Sequence, residues 1–577
     1  MKAARKSLKT KALAAIMAVC CASAWGSTFH PVRASKAMVV SVNKLASEAG
    51  VEVMKAGGNA VDAATATGFA LAVVYPQAGN LGGGGFMLVR FADGGMHFLD
   101  YREKAPAAAR REMYLDAQGK IIPGASTVGY QAVAVPGSVA GMTLAQKKWG
   151  KLSLARVMAP AIRLARDGFA LAREDAADFQ SEDLAKFPES ARIFQRNGNF
   201  YAAGEIFRQP ELARTLERIS ADPEDFYHGG MARELAAFMQ KNGGLLTERD
   251  LAGYTVKERQ PVHGSYRGYE IYSAPLPSSG GIVLLEALNI LEGYNLAPLG
   301  DRSAQTIHLV AEAFRRAMFD RAELLGDPDF SRIPVAQLID KKYAAAWRES
   351  IDPRKASPSR ELQRPAGSFN ELDRAARLQL PERMHTAHYS VVDEAGNAVS
   401  VTTTLNDTFG SSVTAQGLGF LLNDEMDDFS SKPGVANMYG LIQGPANEIA
   451  PGHRPLSAMT PTIVVKDGKT LLVLGSPGGP RIITTVANIL MGVLDFGLDL
   501  QQAVNAPRFH HQWLPDSISM ETYGFSPDTV KKLSEMGHQI GMVADFYTDG
   551  ECIMIDPRSG ERLGASDGRN NGQAVGY

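Results

Sequence analysis

Two threonines and the turn between them supply the first chemistry. Thr386 and Thr404 lie at the far ends of two short β-rich runs, 386–393 and 397–404, separated by Glu394-Ala395-Gly396. A three-residue hairpin loop with glycine last is favoured, because glycine enters the left-handed backbone region at no steric cost. Centring the turn on Ala395 sets Thr386 opposite Thr404, with Cβ atoms about 5 Å apart. Thr386, His388, Ser390, Ser400, Thr402 and Thr404 then share one face, and Ala387, Tyr389, Val391, Val399 and Val401 share the other with Thr403. One face packs; the other carries small hydroxyl groups.

A strand that begins with threonine just after a cleavable segment can make its own nucleophile. Residues 352–382 are rich in Pro, Arg, Glu and Ser and read as an exposed linker. Attack of the Thr386 hydroxyl on the His385 carbonyl gives an ester by N→O acyl shift, and water then releases a new amino terminus. That α-amine has an ordinary pKa of about 7.7–8.0, close enough to neutral to take the hydroxyl proton. An ordinary solvated polar face is the competing reading of the same pattern.

Several elements surround this hairpin. Helical periodicity covers 43–55, stopping at Gly57-Gly58, and 60–74, which is apolar nearly all round and so predicts burial on several sides. Four glycines, Gly82 to Gly85, lead into a strand over 86–91, turned back by Gly94-Gly95 into 96–102. The stretch 152–340 reads as mostly helical, with 304–325 the clearest long helix. Two more runs, 461–466 and 470–474, form a hairpin around Asp467-Gly468, and Gly478-Gly479-Pro480 opens a helix to about 494.

Composition sets wider limits. The 577 residues are 45% hydrophobic and 21% charged with a net charge of −2, so neither nucleic acid nor an anionic membrane surface is favoured as a partner. Lys2, Arg5, Lys6, Lys9 and Lys11 precede the apolar run 12–22 and the small residues Ala22-Ser23-Ala24. That pattern reads as a signal peptide over 1–24, with the periplasm as the expected destination and secretion as the alternative. Of three cysteines only Cys552 lies beyond this segment, so no internal disulfide is expected and Cys552 reads as a small buried hydrophobe.

The chain resembles the gamma-glutamyltransferase (gamma-glutamyltranspeptidase) family of N-terminal nucleophile hydrolases, most closely its bacterial periplasmic members. The blocks that carry the resemblance include Gly57-Gly58-Asn59-Ala60-Val61-Asp62-Ala63-Ala64, Pro76-Gln77-Ala78-Gly79-Asn80 with the four glycines, and Thr386-Ala387-His388-Tyr389-Ser390. Others are Met426-Asp427-Asp428-Phe429, Arg454-Pro455-Leu456-Ser457 and Gly475-Ser476-Pro477-Gly478-Gly479. The resemblance implies an α+β fold, a four-layer αββα sandwich, built as one heterodimer from a self-cleaved precursor. The large subunit would be 25–385, with 352–385 as the linker ending at the cleavage site, and the small subunit 386–577. It implies gamma-glutamyl transfer from glutathione to water or to amino-acid and dipeptide acceptors, with no cofactor.

Site residues follow from the same resemblance. Thr386 forms the gamma-glutamyl ester and Thr404 hydrogen-bonds to it. Arg102 binds the substrate α-carboxylate, for which a planar guanidinium is suited, and Ser457 adds a donor. Asp428, Glu425 and Asn406 accept from the α-ammonium. Gly478 and Gly479, just before Pro480 at the expected first helical position, offer bare backbone N–H groups to an oxyanion, a contribution of about 3–4 kcal/mol where it has been removed from other enzymes. Residues 430–440, including Tyr439, match a lid loop. Many relatives carry a second serine after Arg-Pro-Leu-Ser, and Ala458 stands there instead, a loss on the order of 1 kcal/mol in the carboxylate pocket.

Other motifs carry less. Gly564-Ala565-Ser566-Asp567-Gly568 fits a serine-hydrolase pattern, but no histidine follows it. The glycine run lacks the Lys-Ser/Thr of a phosphate loop, so close backbone packing is its expected role. His510-His511 would point to opposite faces of a strand, and no metal site is expected. The rival functions are a cephalosporin or glutaryl acylase of the same fold and a non-enzymatic periplasmic glutathione-binding protein.

Overall fold

A computed structural model describes residues 30–366, 386–544 and 548–577. The expected signal segment, His385 and the linker beyond residue 366 lie outside the described residues. Within them, two seven-stranded antiparallel sheets stack between helices. The first runs Gln573–Gly576, Met38–Ser41, Thr386–Val392, Ala398–Thr404, Gly84–Arg90, Met96–Asp100, Lys257–Arg259. The second runs Val32–Ala34, Arg562–Ala565, Cys552–Ile555, Lys469–Leu474, Thr462–Lys466, Tyr269–Ser273, Val262–Tyr266.

The hairpin register is the expected one, with Thr386 opposite Thr404 and Ser390 opposite Ser400. Its loop closes as the glycine pattern requires: Gly396 takes φ +89°, and Asn397 N–H donates to Asp393 Oδ1 at 2.9 Å. Asp393 also accepts from Ala60 N–H at 3.0 Å, tying the turn to the start of helix Ala60–Val74.

Both faces of the hairpin are buried. Tyr389, Val391, Val399 and Val401 pack in one core with helices Lys44–Lys55 and Ala60–Val74. The hydroxyl face is not solvated; it meets the second sheet. Ser390 Oγ donates to Glu551 O at 2.7 Å, Ser400 Oγ to Leu474 O at 3.1 Å, and His388 Nδ1 lies 2.9 Å from Thr402 Oγ1. A one-residue slip would exchange these sets, giving up about 1.5–3 kcal/mol for each valine moved out of its apolar layer and stranding the hydroxyls. The second sheet is covered outside by helices Gly280–Leu291 and Arg481–Leu494, so the layers run helix, sheet, sheet, helix.

Helix Ala60–Val74 is buried along its whole length, as its all-round apolar sequence implies. Asn59 and Asp62 close a capping box at its start. The stretch 152–340 is mostly helical, as expected, but not only helical: Lys257–Arg259, Val262–Tyr266 and Tyr269–Ser273 are strands, the last two a hairpin turned at Arg267-Gly268. Their alternating, half-exposed pattern is short and lies between long helices, which hides it. The described part of the linker, 352–366, is not simply exposed either. Ser359 and Leu362 are buried, and Arg364 pairs with Asp320 at 2.5 Å and Glu323 at 2.7 Å.

Candidate active site

The hairpin opens where both sheets end, and Thr386 and Thr404 stand at that mouth. Their hydroxyls lie 3.3 Å apart, and Thr404 Oγ1 accepts from Asn406 N–H at 2.9 Å. A hydroxyl that accepts once keeps a second lone pair and a rotatable proton, so either threonine can donate to the other. Just past the strand Asn406 takes φ +86°, a sparsely populated region for a non-glycine residue. Tyr439 Oη lies 2.8 Å from Asn406 O and 2.6 Å from its Oδ1, and donates its one proton there. The segment carrying Tyr439 thereby closes over Asn406.

Arg102 follows strand Met96–Asp100 and is fully buried. Its Nε donates to Pro455 O at 3.2 Å, Nη1 to Glu425 and Nη2 to Asp428. Glu103 stands 3.5 Å from Nη1. Burial works against the Arg102 charge, but Glu425, Asp428 and Glu103 outweigh it and hold its pKa above the ordinary arginine value. Burial drives the carboxyls the other way. Glu425 is raised well above the usual range, with Arg102 opposing, and Glu103 is pushed up to about 7.

Ser457 is placed by Ser279, whose N–H and Oγ donate to Ser457 O at 2.8 and 2.6 Å. Gly478 and Gly479 adopt φ +123° and +52°, a pair that side chains would strain, and so leave a bare backbone turn at the cleft. Pro480 is the capping residue of helix Arg481–Leu494 rather than its first helical residue. The offset is one position and does not move the glycines from the helix start.

One cleft is lined by Arg102, Thr386, Thr404, Asn406, Glu425, Asp428, Tyr439, Ser457 and Gly479. Gly478 adjoins it, and His385 lies outside the described residues. Ala458 lines the same cleft, so its missing hydroxyl is felt there. Sequence reasoning missed two charged residues. Glu103 stands behind Arg102, and Arg321 lines the cleft from helix Ala304–Leu324. The helix was legible in the sequence, but nothing in it marked which of its arginines would be drawn inward. A larger open cavity between Phe319, Leu362, Gln443 and Trp513 includes neither threonine.

The remaining motifs are structural. A Cβ on Gly82, Gly83 or Gly85 would fall 2.2, 2.1 or 2.5 Å from the carbonyls of Leu421, Thr404 and Thr402, so the glycine run allows close backbone approach. Cys552 is buried. His510 bonds Thr484 and Gln512, whereas His511 faces Asp516. Among the described residues His308, Glu312 and His538 come close enough to share an ion. The two imidazoles lie 2.8 Å apart, nitrogen to nitrogen, and Glu312 pairs with Arg315 and Arg316, while His538 Nδ1 has no hydrogen-bond partner among the described residues.

The family model for gamma-glutamyltranspeptidase matches residues 46–577. The chain belongs to the gamma-glutamyltranspeptidase family. It is 50% identical over 563 residues to a glutathione hydrolase proenzyme of Pseudomonas sp. (strain A14), covering 95% of each chain. A glutathione hydrolase proenzyme of Escherichia coli (strain K12) is likewise 50% identical over 547 residues, covering 94% of this chain and 92% of that one. Among solved structures, the cephalosporin acylase from Bacillus halodurans superposes with a TM-score of 0.83 at 28% identity, covering 96% of this chain and 98% of the other. The layered sandwich is therefore that of the N-terminal nucleophile hydrolases, shared by transpeptidases and acylases of this family.

Proposed function

We propose that this enzyme transfers gamma-glutamyl groups from glutathione and related compounds to water or to amino-acid and peptide acceptors, through an ester on Thr386. The observation that carries the reading is the placement of Thr386 Oγ1 3.3 Å from Thr404 Oγ1, beside a buried Arg102 held by Glu425 and Asp428. In the precursor, Thr386 attacks the His385 carbonyl, the amide becomes an ester, and water releases 25–385 from 386–577. The new α-amine of Thr386 then accepts the hydroxyl proton as the oxygen attacks the gamma-carbonyl. Thr404 steadies the nucleophile, and the backbone N–H groups at Gly478 and Gly479 stabilise the oxyanion. The protonated amine returns its proton to the departing amine, and water or an acceptor amine repeats the attack on the ester.

The clamp has both signs. Arg102 and Ser457 suit an α-carboxylate, and Asp428, Glu425 and Asn406 suit an α-ammonium. A glutaryl group has no ammonium to offer the two acids, which favours gamma-glutamyl over the acylase alternative despite the acylase-like fold. The leader pattern before residue 24 supports export to the periplasm, and no helix among the described residues is long and apolar enough to cross a membrane.

Thr386→Ala is the decisive variant. Wild-type protein should appear on a denaturing gel as two fragments whose masses place the cut before Thr386, whereas the variant stays one chain and loses at least 10³-fold in activity, on the order expected for losing a nucleophile. Two fragments from the variant would remove Thr386 from self-cleavage. Wild-type turnover of a glutaryl anilide at least as efficient as that of the gamma-glutamyl anilide would transfer the assignment to the acylases.

A further inference from the structure

Helix Ala304–Leu324 carries Arg321 to the cleft wall, where the residue is only 1% exposed. Its Nε donates to Ser279 Oγ at 2.8 Å, the serine that also holds the Ser457 backbone. Among the described residues, Nη1 and Nη2 have no hydrogen-bond partner, although Arg321 lines the same cleft as Thr386, Arg102, Ser457 and Ala458. Arg102 is the opposite case, since each of its three nitrogens already donates to Pro455, Glu425 or Asp428.

A buried cation with undonated N–H groups is costly unless a partner arrives. Two Nη nitrogens match the two oxygens of a carboxylate. Burial pulls the Arg321 pKa down to about 10, with Asp428 opposing, so the group is still cationic near neutral pH. Resting on the gamma-glutamyl reading above, we propose that Arg321 determines donor specificity: its Nη1 and Nη2 donate to the α-carboxylate of the gamma-glutamyl substrate, on the wall where Ala458 supplies no hydroxyl. Arg102 then serves that carboxylate jointly with Arg321, while remaining tied to the acids that receive the ammonium.

The test compares two anilides, gamma-glutamyl-4-nitroanilide and 4-aminobutyryl-4-nitroanilide, which share the amine and chain but differ in the α-carboxylate. Wild-type enzyme should favour the first in kcat/KM. In Arg321→Met that preference should fall about 10- to 100-fold, the range for losing a charge-assisted hydrogen bond, through a higher KM for the gamma-glutamyl anilide alone. Arg321→Lys should recover part of it. Equal slowing of both anilides, leaving the preference as in wild type, would overturn the proposal and make Arg321 a packing residue. Self-cleavage into two chains reports that the Met variant folds; where it does not, the same preference in Arg321→Lys decides, an undiminished value counting against the proposal. Should wild-type enzyme itself fail to hydrolyse the gamma-glutamyl anilide, the functional reading falls and not the role of Arg321 within it.

Discussion

Three carboxylates compete for one guanidinium at Arg102. Glu425 and Asp428 bond it directly, and Glu103 stands 3.5 Å away with neither oxygen hydrogen-bonded among the described residues. Burial raises the Glu103 carboxyl to about 7 from an ordinary value near 4.5. The sign of the consequence follows from linkage: a carboxyl that binds its proton more tightly folded than unfolded stabilises the fold below about pH 4.5 and loses that contribution as pH rises through about 7. Glu103→Gln should therefore gain stability over wild type across that window, on the order of 3 kcal/mol by pH 8, and show no relative gain below pH 4. Denaturant midpoints of both proteins at pH 4, 6 and 8 measure it; parallel pH profiles would mean that Glu103 ionises as readily folded as unfolded.

At the scale of elements, the site depends on strands that approach more closely than side chains permit. Gly83 N–H donates to Asn80 Oδ1 at 3.0 Å, while Asn80 Nδ2 donates to Thr404 O at 2.9 Å, so one asparagine holds both the glycine run and the end of the hairpin. A Cβ on Gly83 would sit 2.1 Å from Thr404 O. Gly83→Ala should push that strand end away from Thr386, destabilise the protein by about 2–3 kcal/mol and slow self-cleavage. Accumulation of uncut chain on a denaturing gel is the expected readout, and normal cutting with unchanged stability would show that the strands can yield. These glycines were legible as packing residues, but the partner they approach was not, because Thr404 lies more than 300 positions later in the chain.

For the whole molecule, the cut proposed before Thr386 would not divide two lobes. The nucleophile hairpin is flanked in its sheet by Met38–Ser41 and Gly84–Arg90, and Gln573–Gly576 adds to the far side of Met38–Ser41. The second sheet mixes the two parts again, with Val32–Ala34 on Arg562–Ala565 and Tyr269–Ser273 on Thr462–Lys466. Separating the fragments would break backbone ladders in both sheets and expose two cores. The two chains should co-elute as one particle in native size-exclusion chromatography and part only in denaturant. Their separation in native buffer would mean that the interleaving is lost after cleavage.

Local rules were enough for much of this protein. The Thr386–Thr404 pairing follows from one glycine turn and strict alternation, both short-range, and the Ala60–Val74 helix follows from apolar residues on every side. Arg102, Asp428 and the paired glycines were found through resemblance, since no local pattern distinguishes a binding arginine from a surface one. Only the tertiary structure decided that the hydroxyl face meets a second sheet instead of water, that Glu103 backs Arg102, and that Arg321 lines the cleft with two nitrogens that have no hydrogen-bond partner among the described residues. Those are facts of burial, and burial depends on what distant segments bring alongside, which no window of sequence contains.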